Sequence, residues 1–86
     1  MEQDMLQGFI ARLPASLAEI KILRAAQDTA ALERVIHKMH GVLTYCGLPH
    51  LKSMFFQIES ELHSESYINN ALFDRMIEEL QLLLTV

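Results

Sequence analysis

Apolar residues recur along this chain at the three- and four-residue spacing of amphipathic helices, and no segment alternates long enough to indicate a strand. The pattern predicts five helical segments, at about residues 3–13, 14–27, 29–46, 49–63 and 70–84. Pro14 separates the first two, because proline lacks a backbone donor and crowds the preceding turn. Gly47 and Pro49 mark the end of the third segment and the start of the fourth.

The connections between these segments are short, which makes consecutive helices antiparallel neighbours. We therefore predict an all-α fold. Its form is an antiparallel up-down four-helix bundle, with a short N-terminal helix packing over one end. A chain of 86 residues holds one hydrophobic core, so residues 1–86 are expected to form a single domain.

Composition and charge narrow the possible functions. The net charge of −4 gives no electrostatic support for nucleic-acid binding. The single cysteine, Cys46, excludes an internal disulfide and fits a reducing compartment. No apolar run has the length needed to cross a bilayer, and the acidic N-terminus lacks a signal-peptide pattern. We therefore expect a cytoplasmic domain that makes no membrane contact of its own.

The third helix carries polar residues on the side that faces away from the core. With about 100° per residue, His37 lies about 160° from the centre of the apolar cluster. Gly41 and Thr44 share this outward stripe, and Glu33 and His40 border it. A glycine inside a helix costs about 1 kcal/mol relative to alanine. Gly41 is either a tolerated defect or a residue that lets another surface approach His37.

The fourth helix adds a second polar stripe beside the first. Counting equally from the turn at Gly47 places Glu59 next to His37. One face of this helix carries residues at helical spacing: Lys52, Phe56, Glu59 and His63. Phe56 is either an exposed aromatic on a partner-binding surface or a peripheral core residue covered by the first helix.

An exposed helical histidine is most often a surface residue without a chemical role, and three chemical roles compete with that interpretation. His37, His40 and Glu33 could hold a metal, although the spacing differs from the two-histidine helix motif. His37 could act as a general base oriented by Glu33, although a convex helix offers no pocket. His37 could instead accept a phosphoryl group, since neutral imidazole is nucleophilic near pH 7 and a partner can supply the charge stabilisation.

Two short motifs resemble those of a known family. Residues 36–41, Ile-His-Lys-Met-His-Gly, resemble the signature of histidine-containing phosphotransfer (Hpt) domains: a small or apolar residue, His, any residue, Leu or Met, Lys, Gly. Residues 46–51, Cys-Gly-Leu-Pro-His-Leu, resemble the family's turn into the next helix. Phe9 and Leu13-Pro14 are similar to its opening. The likeness covers essentially the whole chain and is greatest to the C-terminal Hpt modules of BarA/GacS-type hybrid sensor histidine kinases.

The resemblance implies a phosphorelay role in two-component signal transduction. His37 would accept a phosphoryl group from a receiver-domain aspartate and pass it to a response-regulator aspartate. Where the family usually has Lys or Arg, this chain has His40, whose help is expected to be weaker or pH-dependent. Where the family often has Gln, this chain has Glu59, which can accept an imidazole N–H but repels phosphate.

The expected module is a phosphoryl carrier without independent catalytic activity, and the sequence leaves open whether it forms part of a kinase. It needs no metal or other cofactor of its own, since the receiver is expected to supply a divalent metal. Lys38, His40 and Lys52 are expected to offer positive charge, and Gly41 to allow close approach. The predicted docking surface consists of Thr44, Lys52, Phe56 and Phe9. The alternative is a helical protein–protein interaction domain without phosphotransfer. The resemblance also allows a place at the cytoplasmic end of a membrane-bound sensor kinase.

Overall fold

A computed structural model describes the backbone of residues 2–85 and the side chains of residues 6–85. Within this range the chain forms four α-helices and no strand: α1 (Glu2–Ala25), α2 (Thr29–Cys46), α3 (Pro49–Glu65) and α4 (Asn70–Leu84). The predicted all-α class is confirmed. Over the same range, no helix is both long and apolar enough to cross a membrane.

The first helix differs from its prediction, because α1 runs unbroken through Pro14. The prediction of a separate short helix over one end of the bundle is therefore wrong. Proline removes one backbone hydrogen bond from the helix. However, Phe9 and Leu13 before it and Leu17 and Ile20 after it are all buried, at spacings of four, four and three residues. One apolar face thus continues across Pro14, and its packing keeps the helix continuous.

The other helices begin and end at the residues that their local signals indicate. The Asp28 side chain accepts a hydrogen bond from the backbone N–H of Ala31 at 3.2 Å, which caps α2. Gly47 ends α2 in the left-handed conformation, with φ of 70°, where glycine avoids the steric cost of a side chain. Pro49 is the first residue of α3, and Asn69 caps α4 as Asp28 caps α2.

Each helix packs against two neighbours. The helix α1 contacts α2 and α4, and α3 contacts the same two helices. Hydrogen bonds between α2 and α3 pair their residues in reverse order, His37 with Glu59 and Glu33 with His63, so these two helices run antiparallel. For the other consecutive helices, the antiparallel direction stays a prediction from their short connections. The functional residues singled out from the sequence lie mainly on α2 and α3.

The core is apolar, and no polar or charged side chain is buried among residues 6–85. Phe55 and Phe73 are its largest fully buried side chains. Phe9 also belongs to it, with only 8% of its surface exposed, so its predicted place on a docking surface is wrong. It lies on the same buried face of α1 as Leu13. Cys46 packs against the core from α2, and burial raises the pKa of its thiol.

Candidate functional site

His37 stands on the outer side of α2 and leans toward α3. Its neighbours Ile36 and Met39 are buried, whereas the His37 side chain is 73% exposed. The Nδ1 atom of His37 hydrogen-bonds Oε2 of Glu59. Because a carboxylate can only accept, Nδ1 carries the proton and donates it. The other nitrogen, Nε2, then holds the lone pair, and no hydrogen bond among the described residues uses it.

Glu59 uses both of its oxygens on histidines of α2. While Oε2 accepts from His37, Oε1 lies 3.1 Å from Nδ1 of His40. The Glu59 side chain is only 19% exposed, so it lies largely out of water between the two rings. We call these three side chains (His37, Glu59 and His40) the histidine–glutamate bridge. The bridge forms because the antiparallel hairpin of α2 and α3 brings Glu59 beside His37.

His40 is turned inward rather than toward solvent. Its Nδ1 faces Glu59, and its Nε2 is buried without a hydrogen-bond partner among the described residues. The ring also packs against Phe56, with 6.0 Å between ring centroids and planes tilted by 56°. Neither nitrogen of His40 therefore points toward a group placed on Nε2 of His37. The expectation that His40 offers positive charge to a phosphate is wrong for this geometry, because His40 lies at the flank of α2 that meets α3.

Gly41 lies one turn after His37 on the exposed side of α2. A Cβ atom added at Gly41 would meet no other atom within 4 Å. Packing inside the chain therefore does not require a glycine here, and the space above the helix is open. Thr44 follows on the same side, also exposed, and its hydroxyl donates to the backbone carbonyl of His40 at 3.3 Å.

Three further residues from the predicted site have exposed side chains: Lys38, Lys52 and Phe56. Phe56 is 62% exposed, so it is not the covered core residue that the sequence also allowed. Tyr45 was not singled out from the sequence, although it is 63% exposed at the same end of α2. The sequence could have indicated this exposure, because Tyr45 lies away from the apolar stripe of α2.

A second histidine–carboxylate pair lies beside the bridge. Nδ1 of His63 on α3 is 2.8 Å from Oε2 of Glu33 on α2. Together with Arg34 these residues line a shallow groove of about 430 Å³ that also reaches His37 and Glu59. The metal-site interpretation requires Glu33 to lie with His37 and His40. Glu33 instead contacts His63. Among the described residues, no three His, Cys, Asp or Glu side chains are placed to hold a metal ion.

Comparison with known protein families decides the classification. The family model of the Hpt domain matches residues 4–85. The chain belongs to the Hpt domain family. The match spans all four helices, so the family assignment agrees with the observed all-helical fold.

Curated relatives of this Hpt domain are much longer sensor and signal-transduction proteins. It is 39% identical over 72 residues to the sensor protein GacS of Pseudomonas syringae pv. syringae, which covers 78% of this chain and 8% of that protein. It is 33% identical over 64 residues to the signal transduction histidine-protein kinase BarA of Shigella flexneri, covering 74% and 7%. The Hpt domain thus spans less than a tenth of the length of these relatives. No solved structure gives a significant match.

Proposed function

We propose that this Hpt domain carries a phosphoryl group on Nε2 of His37 between receiver-domain aspartates in a phosphorelay. The observation that carries the proposal is the state of the His37 ring. Its Nδ1 is held by Glu59 on α3, while the ring is 73% exposed and Nε2 remains available. A neutral imidazole with an accessible lone pair is a nucleophile near pH 7.

The transfer step uses the two ring nitrogens differently. The Nε2 lone pair attacks the phosphorus of a receiver aspartyl phosphate, and the N–P bond forms as the P–O bond to the aspartate breaks. The aspartate leaves as a carboxylate, and the proton on Nδ1 of His37 stays in place. The ring gains positive charge in this step, and the Glu59 carboxylate lies against Nδ1, where it stabilises that charge. Passing the group on reverses these bond changes with a second receiver.

The rest of the chemistry belongs to the partner. Phosphoryl transfer needs charge stabilisation at the equatorial oxygens, which the receiver supplies with a divalent cation. The Hpt domain itself acts as a carrier that needs no cofactor and no nucleotide. Gly41 leaves room above α2 for the receiver's active site. Lys38 contributes positive charge near His37.

A docking surface for the receiver extends from His37 toward the turn between α2 and α3. It comprises Thr44, Lys52 and Phe56, which are all exposed. Phe56, which is 62% exposed, supplies apolar area on this surface, and aromatic residues are enriched in protein interfaces. The GacS relative is named as a sensor protein, and the BarA relative is named as a signal transduction histidine-protein kinase. We therefore place this domain in a signalling pathway of that kind, with response-regulator receivers as partners and a cytoplasmic location, as the sequence predicts.

The direct test is transfer from a phosphorylated receiver. The domain is mixed with a panel of phosphorylated receivers, and protein-bound phosphate that is labile to acid is measured. Wild type and His63→Gln are expected to become labelled, whereas His37→Gln is expected to remain unlabelled. His63 is the matched control, because its ring is also exposed and also bonded to a carboxylate through Nδ1.

Two outcomes would contradict the proposal. Wild type could take no phosphoryl group from any receiver that binds it, or His37→Gln could be labelled as fast as wild type. Binding of receivers is measured separately by calorimetry. Receiver binding without transfer would support the alternative, a helical protein–protein interaction domain.

A further inference from the structure

We infer that His40 is a positioning residue, which holds the Glu59 carboxylate against Nδ1 of His37 and so keeps Nε2 of His37 free for reaction. The inference concerns the protonation pattern of the resting domain. Its consequence for rate rests on the proposed phosphotransfer function, but the pattern itself can be measured without any partner.

The surroundings of His40 allow one tautomer. With the proton on Nδ1, the ring donates to Oε1 of Glu59 across 3.1 Å. With the proton on Nε2 instead, a lone pair would face the carboxylate and a donor would be buried without an acceptor. A doubly protonated ring would bury the same unpaired donor. The geometry therefore favours a ring that donates from Nδ1 and carries no proton on Nε2.

The packing of His40 makes it a fixed donor. Its side chain is 19% exposed, and its ring lies against Phe56. Glu59 by itself has a flexible side chain that could turn into water or toward a group arriving at Nε2 of His37. A phosphoryl group there would be repelled by a carboxylate turned toward it. His40 holds the second oxygen of Glu59, so the carboxylate stays on the Nδ1 side of the His37 ring.

The tautomers of His37 and His40 are measured by nitrogen-15 NMR of the imidazole rings in the free domain. We expect wild type to carry the proton of the neutral ring on Nδ1 in both residues. In His40→Leu, which removes the donor and keeps an apolar side chain, His37 is expected to populate both tautomers. In His40→Asn, the side-chain amide restores a donor toward Glu59 and is expected to restore the Nδ1 tautomer of His37.

The transfer rate provides the second readout. Loss of one such hydrogen bond corresponds to a rate about three- to tenfold lower in His40→Leu, with partial recovery in His40→Asn. The matched control is His63→Leu, which removes a Nδ1 donor from Glu33 instead. It is expected to leave the His37 tautomer unchanged. A general loss of structure would change His37 in both leucine variants, so the control separates positioning from destabilisation.

Two results would overturn the inference. One is an unchanged Nδ1 tautomer of His37 in folded His40→Leu. The other is a wild-type His40 that carries its proton on Nε2, and this measurement decides the matter even if the leucine variant does not fold. A wild-type domain that shows both expected tautomers but transfers no phosphoryl group would count against the proposed function alone.

Discussion

Two histidine–carboxylate pairs lie at successive turns of the α2–α3 contact, and they differ less in the histidines than in the carboxylates. His37 and His63 both use Nδ1, and their side chains are 73% and 77% exposed. Glu59 is 19% exposed and also accepts from His40, whereas Glu33 is 33% exposed. Exposure therefore does not distinguish the two histidines. The distinguishing feature is a carboxylate held from two sides.

The residues that surround the two pairs also differ. Beside the His37 pair lie an open glycine position, Gly41, and an exposed aromatic, Phe56. The His63 pair lies nearer the C-terminal end of α3, and Arg34 lies in the groove that the two pairs share. A partner approaching the first pair meets open space and apolar area, which favours close contact there.

The largest effect is expected from removing the Glu59 carboxylate, with removal of the Glu33 carboxylate as the comparison. Glu59→Ala should slow phosphoryl transfer about 10- to 100-fold, because a hydrogen bond to a charged group is lost as charge develops on His37. Glu33→Ala should change the rate by less than about twofold, as expected for an exposed pair. Initial transfer rates from one phosphorylated receiver measure both. Equal rate losses in the two variants would mean that the pairs are equivalent.

A smaller effect is expected from filling the space beside His37. Gly41→Leu should slow transfer about tenfold, because small misplacements of reacting groups are costly. Gly8→Leu is the control, since a Cβ at Gly8 also meets nothing within 4 Å. Both leucines should raise the free energy of unfolding by about 0.5–1 kcal/mol. Denaturant unfolding checks stability, and equal transfer rates would show that Gly41 is merely a tolerated defect.

The smallest effect is expected from the exposed aromatic. Phe56→Ala should weaken receiver binding about fivefold, the result of losing about 1 kcal/mol of interface energy. Ile22→Ala removes a comparably exposed apolar residue, 67% exposed on α1, and should leave receiver affinity unchanged. Calorimetric titration with a receiver compares them. If Ile22→Ala weakens binding as much as Phe56→Ala, the docking surface lies elsewhere.

The sequence predicts most of the fold because local signals and apolar spacing agree. The helices α2, α3 and α4 lie within two residues of their expected bounds, and their caps are short-range features of Asp28, Gly47 and Asn69. The continuity of α1 could not be predicted in this way. Local chemistry at Pro14 favours a break, and the buried face that opposes it is a tertiary effect.

The site was predicted only in part, for a similar reason. Helical spacing and hairpin counting place Glu59 beside His37, since both depend on regular backbone geometry. Spacing cannot give the direction of a side chain at the edge of a helix, and His40 turns toward Glu59 instead of solvent. The roles of His40 and Glu59 were predicted independently from the sequence, whereas in the structure their side chains contact each other.

Because only one ring nitrogen of His37 is available, the order in which two receivers can bind is restricted. Because Nδ1 faces α3, the donor and acceptor receivers of the proposed relay would have to occupy the same volume around Nε2, and they could not bind together. In the proposed relay, the phosphoryl group therefore waits on the ring while one partner leaves and the next arrives. The lifetime of the N–P bond has to exceed this exchange time. A receiver that binds very tightly would slow the flow of signal rather than speed it.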